Sequence, residues 1–204
     1  MEKIVLLPGA SGNIHFWTPL IEHLPHKYQK EVIAYPGFGL YPTNNNINSF
    51  HDLQNYVLGH IKTESIVIAQ SMGGIFAVSA ALQKTEFIRG LVLIATSGGI
   101  DLTPFHVEDW RKEYQNQYPQ YPDWFMQTQV NYEDQLEKIN VPILLIWGSD
   151  DPISPVAVGT YLYRKFKNAQ LTIIQGGKHD LAEKHTEEVA SYIHQFLESL
   201  ATMD

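Results

Sequence analysis

The stretch Ile66-Val67-Ile68-Ala69-Gln70-Ser71-Met72-Gly73-Gly74 decides how the rest of the chain is read. Its first half is a strand-like apolar run, and its second half opens a helix-like stretch. A serine flanked by small residues joins the two. This is the form of a nucleophile elbow, G-x-S-x-G, with Ala69 in the first glycine position. The turn is so tight that larger side chains two residues before or after Ser71 would strike the neighbouring strand and helix. A serine here sits at a helix N-terminus, where free N–H groups and the positive end of the dipole favour a developing anion. Standing alone, the same pattern also suits a helix N-cap serine beside a glycine-rich packing contact.

Working outward, short runs rich in Ile, Val and Leu recur at residues 3–7, 31–35, 65–70, 91–96, 142–147 and 171–175. Apolar runs without alternation mark strands buried on both faces, which occur in parallel sheets. Helix-like stretches separate them, for example 51–60, 72–84, 155–166 and 187–200. In the last of these, Val189, Ile193, Phe196, Leu197 and Leu200 share one face. The alternation predicts βαβ units and an α/β fold. The expected form is a three-layer α/β/α sandwich on a mostly parallel sheet of about six strands, as one domain over residues 1–204.

Composition narrows the chemistry. The chain has 204 residues and no cysteine, which excludes disulfides, thiolate metal sites and cysteine nucleophiles. Its formal charge of −8 argues against a nucleic-acid partner. Neither a signal-like opening nor a run of eighteen apolar residues stands out, so the expectation is a soluble, cytoplasmic protein with no membrane partner, monomeric or homodimeric.

One interval breaks the strand–helix rhythm. Residues 97–141 offer no strand but hold Phe105, Trp110, Tyr114, Tyr118, Tyr121, Trp124, Phe125 and Tyr132, a third of the 24 aromatics. A long insertion in a compact α/β core is usually functional. It reads as a short helical lid lining a pocket, or as a helical pair packing its aromatics inward.

A serine nucleophile needs a base, and the base needs an orienting group. Trp147-Gly148-Ser149-Asp150-Asp151-Pro152-Ile153-Ser154-Pro155 follows one apolar run, and Gly176-Gly177-Lys178-His179 follows the next. Each residue alone has a plainer reading, Asp150 and Asp151 as turn formers before Pro152 and His179 as a helix cap. Ser71, Asp151 and His179 at three successive strand ends read better together, in the chain order Ser, Asp, His.

On these residues the chain resembles the α/β-hydrolase superfamily over nearly its whole length. Leu7-Pro8-Gly9-Ala10-Ser11, followed by Phe16-Trp17, looks like the family's oxyanion loop, and Tyr35-Pro36-Gly37-Phe38-Gly39 resembles its D-x-P-G-x-G stretch. Asp151, three after Gly148 and four before Pro155, matches the family's acid better than Asp150, and His179 matches its base better than His185. Four positions depart from the pattern. Pro8 stands for His, Ala34 for Asp and Ala69 for Gly, while Lys178 separates Gly177 from His179. The N-terminal antiparallel hairpin of larger members is not expected here.

The resemblance implies a serine hydrolase with Ser71, His179 and Asp151 as triad and the backbone N–H groups of Ala10 and Met72 as oxyanion hole. Ser11, Trp110, Trp124, Phe125 and Ile153 are expected to bind substrate. It implies no metal and no cofactor. The expected substrate is a small-molecule ester or thioester with a small to medium apolar acyl group. Biotin-pathway esterases of acyl carrier protein share the Pro-Gly-Phe-Gly and Ser-Met-Gly-Gly stretches. The acidic chain offers such a carrier only a few cations, such as Arg111 and Lys112. C–C bond hydrolase or lyase chemistry uses the same triad, and a non-catalytic binding protein could keep the fold. A dinucleotide-binding reading rests on Gly9-Ala10-Ser11-Gly12 with Tyr161 and Lys165, against which stand His15 at the third glycine position and Ala34-Tyr35-Pro36 where an acidic or basic residue is expected near the end of the next strand.

Overall fold

Along β1 (Lys3–Leu7), Val5 and Leu7 join the core on one face of the sheet while Ile4 and Leu6 join the core on the other. The same split runs through β3 (Ser65–Gln70), β4 (Ile88–Ile94) and β5 (Ile143–Gly148). Val67, Leu91, Leu93 and Leu145 face one way, and Ile68, Val92, Ile94 and Ile146 the other. Both faces are dry, which is why these strands carry unbroken apolar runs.

The computed structural model describes residues 2–202. Residues 1, 203 and 204, the ends of the expected 1–204 domain, lie outside it. Six parallel strands, including β2 (Gln29–Val32) and β6 (Ala169–Ile174), form one sheet in the order β2-β1-β3-β4-β5-β6. The helices are α1 (Thr18–His23), α2 (Phe50–His60), α3 (Met72–Gln83), α4 (Arg111–Gln117), α5 (Trp124–Gln127), α6 (Val156–Lys165), α7 (Leu181–Lys184) and α8 (Thr186–Ala201). α2, α3 and α6 cover the first face, and α1, α7 and α8 the second. The result is a three-layer sandwich. Among the described residues no helix is long and apolar enough to cross a membrane.

The central strands fall close to the apolar runs, but the edges do not. β2 starts at Gln29 and ends at Val32, so the expected 31–35 strand is shifted. Gln29, Lys30 and Glu31 pair with Lys3, Ile4 and Val5 on an edge open to water, where polar side chains cost nothing. Pro36, which has no N–H, follows where the chain turns away. β4 begins three residues early, at Ile88, and takes in Arg89 and Gly90. Gly90 lets α8 pack close, since a Cβ there would lie 3.1 Å from Leu200 and 3.2 Å from Phe196 and these side chains would have to give by a few tenths of an ångström.

Strand order reverses at β1, which has β2 on one side and β3 on the other. Open α/β sheets hold their ligands outside the C-terminal strand ends at such a point. The loop after β1 and the turn after β3 therefore flank one crevice, and the loops after β5 and β6 rise from the same edge. The order also differs from the 3-2-1-4-5-6 arrangement of dinucleotide-binding folds. After β1 the chain enters a 3-10 turn, Ile14–Trp17, and the six-residue α1 instead of the long helix that reading requires.

Between β4 and β5, residues 97–141 contain no strand. They hold α4, α5 and the 3-10 turns Thr103–Phe105 and Glu133–Lys138.

Candidate active site

Ser71 leaves β3 with φ 52° and ψ −120°, a conformation that L side chains rarely adopt. Three hydrogen bonds hold it there. Its N–H donates to Ile94 O at 3.1 Å, and its carbonyl accepts from Thr96 Oγ1 at 2.6 Å and Gly74 N at 3.0 Å. Such backbone strain costs about 1–3 kcal/mol and persists only where the surroundings over-determine it. The small residues have a steric cause. A Cβ on Gly73 would lie 2.4 Å from Leu7 O, and one on Gly74 would lie 2.3 Å from Thr96 Oγ1. The turn thereby lets α3 start directly against the end of β1.

His179 follows β6 and lies with Nε2 3.0 Å from Ser71 Oγ and Nδ1 2.8 Å from Asp151 Oδ2. An ionised carboxylate can only accept, so Nδ1 carries the proton and Nε2 presents its lone pair to the serine hydroxyl. The Asp151 side chain is fully buried, while that of His179 is one-quarter exposed. Asp151 Oδ1 accepts from the N–H groups of Ile153 and Ser154 at 2.8 and 2.9 Å. The turn-forming role and the His-orienting geometry thus belong to two oxygens of one carboxylate. Asp150 is exposed and accepts from Ser149 Oγ at 2.6 Å. His185 sits at the start of α8.

The loop after β1 faces this trio. Among the described residues, the N–H groups of Ala10 and Met72 donate to no protein acceptor; Met72 is the first residue of α3, where helix N–H groups are unpaired. Four successive carbonyls of the loop are occupied. Pro8 O accepts from Tyr35 Oη at 2.9 Å, Gly9 O from Gly12 N at 3.0 Å, Ala10 O from Tyr114 Oη at 2.7 Å and Ser11 O from Tyr121 Oη at 3.1 Å. Burial pushes the Tyr35 phenol well above its ordinary range. It raises that of Tyr114 too, with Tyr121 and Tyr118 adding to the effect. Both hydroxyls therefore stay protonated and able to donate.

Gln70 ties the parts together, and sequence reading gave it no role. It is buried, its Nε2 donates to His179 O at 3.1 Å, and its Oε1 would lie 2.4 Å from a Cβ on Gly9. In the sequence the three bracing tyrosines stand only as members of a motif or of an aromatic excess. Pro8 in place of the expected histidine was the one signal that this loop needs another brace.

Trp110, Trp124 and Phe125 are half-buried in one ring network. Trp124 and Phe125 meet Phe38 edge-on at 5.8 and 6.4 Å, Phe125 stacks on Phe50 at 6.4 Å, and Trp110 tilts over Phe125 at 5.4 Å. Much of the aromatic excess thus packs the 97–141 segment onto the core. Ile153 and Ser11 are half-buried beside the acid and within the β1 loop. Tyr161 and Lys165 both engage Glu133, joining α6 to the 3-10 turn Glu133–Lys138. Two surface grooves of about 420 and 470 Å³ lie by His23 and α8, and none of Ser71, Asp151 and His179 lines them. Among the described residues no cluster of three or more His, Cys, Asp or Glu could hold a metal ion.

The family model described as alpha/beta hydrolase fold matches residues 3–133, more than half of the chain. The chain belongs to the alpha/beta hydrolase fold family. A second model, described as TAP-like protein, matches residues 109–202 of this alpha/beta hydrolase. Among curated relatives, it is 21% identical over 244 residues to a pimeloyl-[acyl-carrier protein] methyl ester esterase of Neisseria meningitidis, covering 98% of this chain and 95% of the relative. Among solved structures, a thermophilic esterase from Thermogutta terrifontis superposes with TM-score 0.81 at 17% identity, over 98% of this chain and 90% of that one. A putative lipase from Acinetobacter baumannii superposes on the alpha/beta hydrolase with TM-score 0.83 at 18% identity, over 100% of this chain and 85% of that one. At such identities the two structures establish the fold alone.

Proposed function

We propose that the protein is a serine hydrolase that cleaves carboxylic esters or thioesters of small to medium apolar acyl groups. The observation that carries this reading is the unbroken relay from Ser71 Oγ through His179 to the buried Asp151 carboxylate, at 3.0 and 2.8 Å. The curated relative named as a methyl ester esterase supports the same reaction class.

In this mechanism Ser71 Oγ attacks the acyl carbonyl carbon while His179 Nε2 takes its proton. Asp151 holds the imidazole in the required tautomer and stabilises the imidazolium. The carbonyl oxygen becomes an oxyanion between the N–H groups of Ala10 and Met72, each such donor being worth about 10²–10³ in rate. Collapse breaks the bond to the alcohol or thiol, which leaves with the proton from His179. Water then attacks the acyl-enzyme, His179 acts again as base, and Ser71 is released with the carboxylic acid.

Residues 97–141 serve as a short lid in this reading, and Trp110, Trp124, Phe125, Ser11 and Ile153 contribute to the acyl pocket. The relatives raise a carrier-linked substrate as a second reading. A net charge of −8 opposes docking of an acidic carrier, with Arg111 and Lys112 as adjacent cations on α4. A free ester or thioester is the better fit.

The test is turnover of p-nitrophenyl esters and acyl thioesters of graded chain length, with fluorophosphonate labelling and Ser71→Ala as control. Labelling of wild type but not of Ser71→Ala, with a peak at short to medium chains, is expected. An unlabelled, inactive wild type would overturn the reading, and a long-chain peak would overturn the acyl preference.

A further inference from the structure

The residue that should present an oxyanion donor, Ala10, lies in a loop with Pro8 where the family resemblance leads one to expect a histidine. The bracing that replaces it comes from far away in the chain. We propose that Tyr114 and Tyr121 are positioning residues that set the direction of the Ala10 N–H by anchoring the carbonyls of Ala10 and Ser11. The proposal deepens the serine-hydrolase reading and rests on it for its catalytic consequence.

Peptide geometry makes the argument. In a trans peptide the C=O and the following N–H point in opposite directions on one plane. The Ala10 N–H is therefore aimed by the Gly9 carbonyl, which Gly12 N holds at 3.0 Å. That plane turns only if the dihedrals at Gly9 and Ala10 turn. The plane before it is pinned by Tyr35 on Pro8 O at 2.9 Å, and the plane after it by Tyr114 on Ala10 O at 2.7 Å. Tyr121 pins the next plane through Ser11 O at 3.1 Å and accepts from Gly39 N at 2.8 Å, so it also ties the loop to the turn after β2. Gly9 has every reason to rotate, having no Cβ, and a loop held only by its own turn would sample other orientations. A donor that must be in place before charge develops needs this anchoring.

Two of the anchors, Tyr114 on α4 and Tyr121 just before α5, belong to the 97–141 segment. Their rings are fixed in the aromatic network, Tyr114 against Trp110 at 5.6 Å and Phe125 at 5.6 Å, and Tyr121 against Phe38 at 5.4 Å. The segment over the site and the oxyanion loop are thus one mechanical unit. A segment that lifted away would take with it the hydroxyls that aim the Ala10 N–H, so that a lifted state would be poorly active as well as open.

Tyr114→Phe and Tyr121→Phe delete the hydroxyls and keep the rings. For each, kcat should fall about tenfold, below the 10²–10³ of a fully deleted donor, with KM within about twofold. Affinity for a trifluoromethyl ketone, which forms a tetrahedral oxyanion on serine, should fall by the same factor as kcat/KM. A purely structural role would lower the folded fraction and the melting temperature without that matched loss. Wild-type kcat in both variants, or a loss carried by KM alone, overturns the proposal. Amide exchange of the segment spanning residues 8–13 reads the anchoring without turnover. It should quicken in the double variant at Gly12, and unchanged exchange overturns the proposal even if the wild type proves to hydrolyse no ester. Quickened exchange with an inert wild type would leave the anchoring standing and sink only the hydrolase reading.

Discussion

Gly148, at the end of β5, packs against Gly177 so closely that a Cβ on it would lie 2.1 Å from the Gly177 carbonyl oxygen. The loop bearing Asp151 and the loop bearing His179 are thus held backbone to backbone. Asp150 N donates to Gly177 O at 2.9 Å, Ser149 N donates to Ile174 O at 3.0 Å, and Gly176 N donates to Ser149 Oγ at 2.8 Å. The 2.8 Å contact between imidazole and carboxylate depends on that approach.

Gly148→Ala should therefore separate the two loops. The expected result is a loss of esterase rate of at least about 10²-fold, since small misplacement of catalytic groups has such cost, together with a lower melting temperature. Gly59→Ala is the contrast. Gly59 lies in α2 with nothing within 4 Å of its missing Cβ, so the change should stabilise by about 0.5 kcal/mol and leave the rate alone. Thermal melts and kcat on both variants check the pair.

Asp151→Asn should cut kcat by about 10⁴-fold, because an amide presents a donor where the imidazole needs an acceptor and favours the wrong tautomer. Asp150→Asn should stay within about twofold of wild type, its carboxylate being exposed and bonded to Ser149. Parallel kinetics on the two variants decide the assignment. Activity in Asp151→Asn together with an inert Asp150→Asn would reverse it.

Ser71→Gly and Ser71→Ala should both be inactive but differ in stability. Glycine accepts φ 52° at no steric cost, whereas alanine keeps the strain. Ser71→Gly should melt above Ser71→Ala, the gap corresponding to about 1 kcal/mol. An equal or lower melting temperature for the glycine variant would argue that the turn is not strained.

Burial raises the phenols of Tyr35 and Tyr114 above their ordinary value. Above pH 10 or so the unfolded chain loses these protons while the folded chain keeps them, so the unfolded state binds fewer protons. Stability must then fall as pH rises through that window, and be fully present below it. Denaturant midpoints measured between pH 8 and 12 should drop, and Tyr35→Phe should flatten the drop because one raised phenol is gone.

The turn around Ser71 was legible because its demands are local. A strand, a tight corner and a helix start all fall within the nine residues 66–74, and Gly73 and Gly74 show the small-residue rule at work. The interior strands were legible for a similar reason, since water touches neither face. β2 was misplaced because an edge tolerates Gln29, Lys30 and Glu31, so no apolar run marks its start. The tyrosine anchors were not legible at all. Their hydrogen bonds join residues 104 and 110 positions apart, and no periodicity encodes such a pairing. The aromatics of the 97–141 segment stayed ambiguous because a ring packed on Phe38 and a ring facing a ligand leave the same trace in a sequence.

The layer formed by α1, α7 and α8 joins the beginning of the fold to its far end. Leu20 of α1 shares a core with Ile193 and Leu197 of α8, and the α1 terminus meets α8 again where His194 Nε2 donates to His23 O at 2.7 Å. During synthesis, α1 alone is available to cover the sheet face carrying Ile4, Leu6, Ile68 and Ile146 until residues 181–201 have left the ribosome. Folding is in this sense sealed from behind, with the part of this oily face that α7 and α8 cover open to chaperones until those helices emerge.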